Sequence, residues 1–193
     1  MIAPGVVNQI DKIWIHSNTA ISGENGRLFN AGGGSGYERA YIDRPKSAGK
    51  WFFGFEVIST SLGNGESMGV GIADNGATAG YSASINYPAN ASAYIRYLSA
   101  AYKRPAGGAV SAYTGASVFT AGVLAGISYD ADTGVMRGYN YVSGAWVDRG
   151  IIKTYPANTA MVPFAVCGKN PTSNNRIRLR PDLAPPAGFT GWV

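Results

Sequence analysis

Few side chains in this sequence can do chemistry, and their spacing limits what they can do together. His16 is the only histidine, so a cluster of imidazoles around a metal is excluded. A Ser-His-Asp or Cys-His relay would have to run through His16, which follows Ile13-Trp14-Ile15 and reads as an ordinary polar strand end. Cys167 is the only cysteine, so no internal disulfide exists. It lies in the apolar run Met161-Val162-Pro163-Phe164-Ala165-Val166-Cys167, where a thiol behaves as a small buried hydrophobe rather than as a nucleophile.

The 11 acidic residues are equally sparse. Glycoside hydrolysis needs two carboxylates facing one cleft, and no Glu-x-Asp-x-x-Glu pattern occurs. Glu56 alone stands in the middle of a strong strand; a Glu there suits a catalytic acid, but a paired or edge-facing carboxylate is the expectation. Asp130 and Asp132 resemble a calcium turn, but calcium wants six to eight oxygens and the neighbourhood offers few others. A hairpin turn accounts for both without an ion. Gly32-Gly33-Gly34-Ser35-Gly36 lacks the Gly-Lys-Ser/Thr of a phosphate loop. The residues therefore point away from catalysis, metals and cofactors.

Aromatic residues are plentiful instead. Tyr81, Tyr87, Tyr94, Tyr97, Tyr102 and Tyr113 crowd the middle of the chain among Asn and Ser. Exposed tyrosines with short polar neighbours suit glycan or protein recognition, because the rings stack and the small polar groups adapt. Tyr81, Tyr94, Tyr97, Tyr102, Tyr113 and, further on, Trp146 are the candidate ligand-binding residues. The competing reading places most of these rings in the core.

Such residues need a scaffold, and the composition describes one. Hydrophobic residues make up 46% and charged residues only 14% of the 193, with 27 glycines and 12 tyrosines. That excludes general disorder and predicts many short strands joined by tight turns. The net charge of +5 and a pI near 9.3 make nucleic acid the first partner to test. The basic residues are scattered, however. Their densest run, Arg176-Ile177-Arg178-Leu179-Arg180, alternates as a strand with one solvated face. No nucleic-acid partner is expected. Met1-Ile2-Ala3-Pro4-Gly5 does not read as a signal peptide, so none is expected, and no apolar run reaches the length of a membrane span, so no membrane insertion is expected.

Along the chain, Ile10–Ile15 reads as a strand, residues 22–36 as a Gly-rich loop and Tyr37–Ile42 as a short strand. Lys50–Ser59 is the best strand. Trp51, Phe53, Phe55 and Val57 share one face and Phe52, Gly54, Glu56 and Ile58 the other. Met68–Ala73 follows. Residues 89–103 are ambiguous: Ala91, Tyr94, Ile95, Leu98 and Tyr102 fit a helix with Asn90 as its cap, yet Ala93–Leu98 alternates as a strand, which the β-forming residues favour. Val110–Tyr113 is another short strand. Ala121–Tyr129 and Val135–Tyr141 form a hairpin across Asp130-Ala131-Asp132-Thr133-Gly134, whose Gly suits positive φ. A second tight hairpin turns near Ser143-Gly144, and Val162–Cys167 and Arg176–Arg180 complete the set. The expectation is a single all-β sandwich over residues 1–180 and an extended Pro-rich arm over residues 181–193.

The order of these segments resembles the SPRY domain of the concanavalin A-like lectin/glucanase sandwich superfamily. The matching residues are Gly49-Lys50-Trp51-Phe52-Phe53-Gly54-Phe55-Glu56-Val57, Gly69-Val70-Gly71-Ile72-Ala73, Phe119 to Asp130, Thr133 to Tyr139, and Val162-Pro163-Phe164-Ala165-Val166. One departure is that Val123 stands where the family has Asp after the central glycine. The resemblance implies a jelly-roll sandwich of two antiparallel sheets that binds through the loops at one end. Residues 180–193 also resemble the C-termini of small tailed-phage virion proteins. That likeness implies a virion component, assembled in the host cytoplasm, whose partners are other virion proteins and a host surface glycan or protein.

Two roles follow: a tail-tip or fibre receptor-binding module, or a capsid or tail decoration protein. For the arm, the expectation is docking on another subunit through Phe189, Trp192 and Val193, making a homo-oligomer. Three prolines between 181 and 186 bar it from a central strand, and large rings left in water mark an interface. The alternative is that the arm folds back on its own sandwich.

Overall fold

The computed structural model describes residues 28–31, 36–42, 44–59, 68–74, 92–97, 101–104, 111–112, 121–169 and 175–193. The expected Ile10–Ile15 strand, His16, Tyr81, Tyr87 and Tyr113 lie outside them.

Thirteen strands and no helix occur among the described residues. In chain order they are β1 (Leu28–Ala31), β2 (Gly36–Tyr41), β3 (Lys50–Ser59), β4 (Met68–Asp74), β5 (Ser92–Tyr97), β6 (Ala101–Arg104), β7 (Ser111–Ala112), β8 (Leu124–Asp130), β9 (Val135–Val142), β10 (Ala145–Thr154), β11 (Met161–Lys169), β12 (Asn175–Leu179) and β13 (Thr190–Gly191). One sheet runs β1-β12-β3-β8-β9-β10, with β13 also on β3; the other runs β2-β11-β4-β5-β6-β7. The pairs are antiparallel except β13 on β3, which is parallel. This is the jelly-roll sandwich that the sequence predicts.

The core is written by period-2 alternation. From β3 come Phe53, Phe55 and Val57, from β8 Ala125, Ile127 and Tyr129, and from β12 Ile177 and Leu179. The facing sheet sends in Ala40, Val70, Ile72, Met161 and Ala165. Adjacent strands hold these residues in step: Phe53 pairs with Ile127 and Phe55 with Ala125, while Leu179 pairs with Phe55.

Both predicted hairpins form, each for a local reason. In the first, Asp130 Oδ1 accepts from the amides of Asp132 and Thr133, and Gly134 closes the turn at φ 73°. A Cβ at Gly134 would sit 2.0 Å from the Tyr155 carbonyl oxygen, so no other residue fits there. In the second, the two-residue connection Ser143-Gly144 takes φ of 51° and 85°. Positive φ at both central positions is the turn whose twist matches a right-handed hairpin.

Three expectations need amendment. Leu28–Ala31, inside the stretch read as loop, pairs with β12 through Leu28 opposite Arg178. Ala101–Arg104 is a strand of its own, paired with β5; the neighbouring ambiguity resolves as strand β5. The third concerns the C-terminal arm. Trp192 is 2% exposed and belongs to the chain's own core, and Val193 packs against that core. The docking of Trp192 and Val193 on another subunit is thereby corrected. The prolines bar residues 181–186 from the ladder, but Thr190-Gly191 lies beyond them and is free to pair.

Candidate functional site

The outer face of β3, β8 and β9 departs most from an ordinary solvated sheet face. Gly54 and Gly126 stand opposite each other across β3 and β8, leaving a flat patch with no side chains. Two rings fill it. A Cβ at Gly126 would lie 2.2 Å from Phe52 and 3.2 Å from Trp146, and one at Gly54 would lie 3.1 Å from Trp146. The indole of Trp146 meets Phe52 edge-on, with centroids 4.7 Å apart. Tyr141, its register partner across the hairpin, meets it at 4.8 Å. Tyr139 adds an edge contact to Phe52 at 5.6 Å. Edge-to-face pairs at these distances are favourable beyond the area they bury.

The chain's own tail lies over this aromatic patch. After β12 the Arg180 amide donates to the Gly54 carbonyl at 2.9 Å. The chain then leaves the sheet, and the Ala184 carbonyl accepts a 2.8 Å hydrogen bond from Trp146 Nε1. Pro181, Leu183 and Pro185 close around a recess shared with Phe52 and Gly54. Its cavity volume is about 30 Å³, the space of a single water. The tail returns to β3 as β13, where the Trp192 amide donates to the Phe52 carbonyl at 2.8 Å. Trp192 then crosses to the inner side, stacks on Tyr129 at 6.3 Å and meets Phe53 edge-on at 6.0 Å. Its indole N–H donates to the Arg44 carbonyl at 2.8 Å. Phe189 is half-buried, its amide bonded back to Pro186.

Charged groups flank the patch in structural pairs. Glu56 Oε2 accepts from Arg178 at 3.2 Å and from Arg180 at 3.1 Å. Arg180 also holds Asp182 at 2.7 Å. The hydrogen bond to Asp182, against a smaller opposing effect of burial and with Glu56 adding its share, raises the Arg180 guanidinium above its ordinary value. Asp148 receives Arg137 at 2.7 Å and the Gly150 amide. Asp132 caps the Gly49 amide, and Asp130 adds a 3.6 Å pair with Lys50 to its turn bonds. The carboxylates expected in a turn and in a pair are found in those roles. No group of three or more candidate metal ligands occurs among the described residues.

At the sheet edge, the β9–β10 hairpin exposes Val142 (46%), Val147 (37%) and Ile151 (47%). The β9–β10 register slips between Asp148 and Ile151 and again between Ile151 and Lys153, an irregularity that blunts an edge strand against uncontrolled pairing.

Of the predicted ligand-binding residues, Trp146 lies at the centre of this face. Tyr94 stands opposite Gly71 and Arg104, Tyr97 opposite Met68 and Ala101, and Tyr102 opposite Arg96 and Ala112. These tyrosines are thus in the other sheet from Trp146, and Tyr81 and Tyr113 lie outside the described residues. Phe52, Tyr139 and Tyr141 escaped notice as site residues. Their signal is the pair of glycines, which acquires meaning only when β3 and β8 are set in register.

No protein-family model and no curated protein matches the chain. Solved structures do. The chain is similar to the SPRY domain of human HERC1 (12% identity, TM-score 0.59, covering 81% of this chain and 89% of that one). It is similar to the PSpry domain of TRIM65 (11% identity, TM-score 0.58, covering 88% and 86%). It also resembles part of stonustoxin (15% identity, TM-score 0.63), covering 88% of this chain and 28% of that one. At such identities the likeness concerns the fold alone: the chain has a two-sheet, all-β jelly-roll sandwich fold like that of these SPRY domains.

Proposed function

We propose that the chain is a non-enzymatic recognition module of a tailed-phage particle that binds a host glycan or surface protein. The observation that carries this reading is the contrast between spent charges and offered apolar surface. Glu56, Asp130, Asp132, Asp148 and Asp182 each engage an arginine, a lysine or a backbone amide. Beside them the β9–β10 hairpin presents Val142, Val147 and Ile151 to solvent. Exposed apolar groups on both faces of one hairpin suit contact with a partner, and carboxylates fixed in pairs are poorly placed to exchange protons. The virion setting rests on the sequence of residues 180–193. A second reading, a decoration protein, is favoured by β10, which ends its sheet and offers an edge for packing against a neighbour.

The test pairs localisation with binding. Labelling at the tail tip, together with glycan-array or host-cell binding that falls in V147D/I151D, is the expected result. Labelling confined to the capsid selects the decoration role. Polysaccharide cleavage lost in E56Q overturns the reading.

A further inference from the structure

We propose that the aromatic patch on the outer face of β3, β8 and β9 is a binding groove for proline-rich extended segments. The tail occupies it in cis, and a proline-rich segment of another protein takes the same place. This goes beyond recognition of a host surface and stands whether or not that reading holds.

The groove has the parts that such a ligand requires. Its base is the backbone of Gly54 and Gly126, over which the rings of Phe52 and Trp146 lie. Phe52, Tyr141 and Trp146 supply aromatic walls. Trp146 Nε1 points a donor at a backbone carbonyl, that of Ala184. Proline-rich ligands lack amide donors and so are recognised by rings and by donors aimed at their carbonyls.

The segment now seated there is itself of this type. Ala184 and Pro185 each precede a proline, which drives both towards extended backbone, and the prolines at 185 and 186 fix their own φ. The segment engages by one indole hydrogen bond, and Pro181 and Pro185 line a recess together with Phe52. It is held at both ends, by the Arg180–Gly54 bond and by Trp192. Its middle can therefore lift while the sandwich stays closed, and a tethered segment of this length competes at an effective concentration of about a millimolar.

The experiment uses the full chain. In P185G/P186G the middle of the tail is loosened and the Trp192 anchor kept. A labelled synthetic peptide of the sequence of residues 180–187 is titrated into this variant and into the unaltered chain. Hydrogen exchange at the Trp146 indole reports release of the tail, and protection of the Trp192 amide reports the fold. The expected result is saturable binding to the variant, about tenfold tighter than to the unaltered chain as cis competition is relieved. W146F added to the variant should weaken binding about fivefold, the worth of one net hydrogen bond. Should P185G/P186G lose Trp192 protection, P185A/P186A takes its place. No binding at millimolar peptide with the tail released overturns the proposal. So does binding unchanged by W146F, a tail that stays docked without its prolines, or exchange of tails between copies in the absence of peptide.

Discussion

The two faces of β3 are buried by different means. On the inner face, Phe53, Phe55 and Val57 join neighbours from β8 and β12 in their own sheet and meet residues of β2, β4 and β11 from the second sheet. On the outer face, Phe52 is as deeply buried, yet no sheet among the described residues covers it. Trp146, Tyr139 and the chain's own tail do. The inner face is built by alternation, a property of each strand alone. The outer face depends on a glycine from each of two strands meeting in register. Trp192 joins the two, since its backbone binds β3 at the rim while its ring completes the core.

Substitutions should rank accordingly. W192A should be the most damaging, at about 3–5 kcal/mol, because it removes the largest fully buried side chain and leaves a cavity among Phe53, Tyr129 and Trp51. Chemical denaturation checks it. G126A should cost about 1–3 kcal/mol as an overpacking change, since its methyl group would force Phe52 off its site. Its near-ultraviolet dichroism should report displaced aromatic rings. If G126A proves neutral, the outer face is looser than its geometry implies. W146F should cost about 1 kcal/mol, the loss of one hydrogen bond with the ring contacts largely kept, and should raise proteolysis of residues 181–189 more than it lowers the melting temperature. E56Q should cost the least, about 0.5–1 kcal/mol, because its partners Arg178 and Arg180 are partly exposed, and the cost should shrink in high salt.

The inner face could be read from the sequence, and the outer face only in fragments. Lys50–Ser59 announced its strand because alternation over ten residues has one interpretation, and Asp130 to Gly134 announced its turn through side-chain chemistry that acts within four residues. Leu28–Ala31 went unseen because glycines surround it and its partner Arg176–Arg178 lies about 150 positions away. The destination of Trp192 was hidden for a related reason. Three prolines correctly exclude residues 181–186 from a ladder, but whether the chain comes back to a strand afterwards depends on a free edge of β3 that only the assembled sheet reveals. In the sequence Trp146 reads as a ligand-binding aromatic. What it holds in this structure, the carbonyl of Ala184, is set by tertiary geometry.

The intramolecular clasp at Trp192 is the claim on which the rest depends, and amide hydrogen exchange as a function of protein concentration tests it most directly. The Trp192 amide, bonded to the Phe52 carbonyl, should be protected to the level of the β3 and β8 amides. That protection should be the same at high dilution as in concentrated solution. Protection that falls away on dilution would place the tail on a neighbouring molecule and contradict the account.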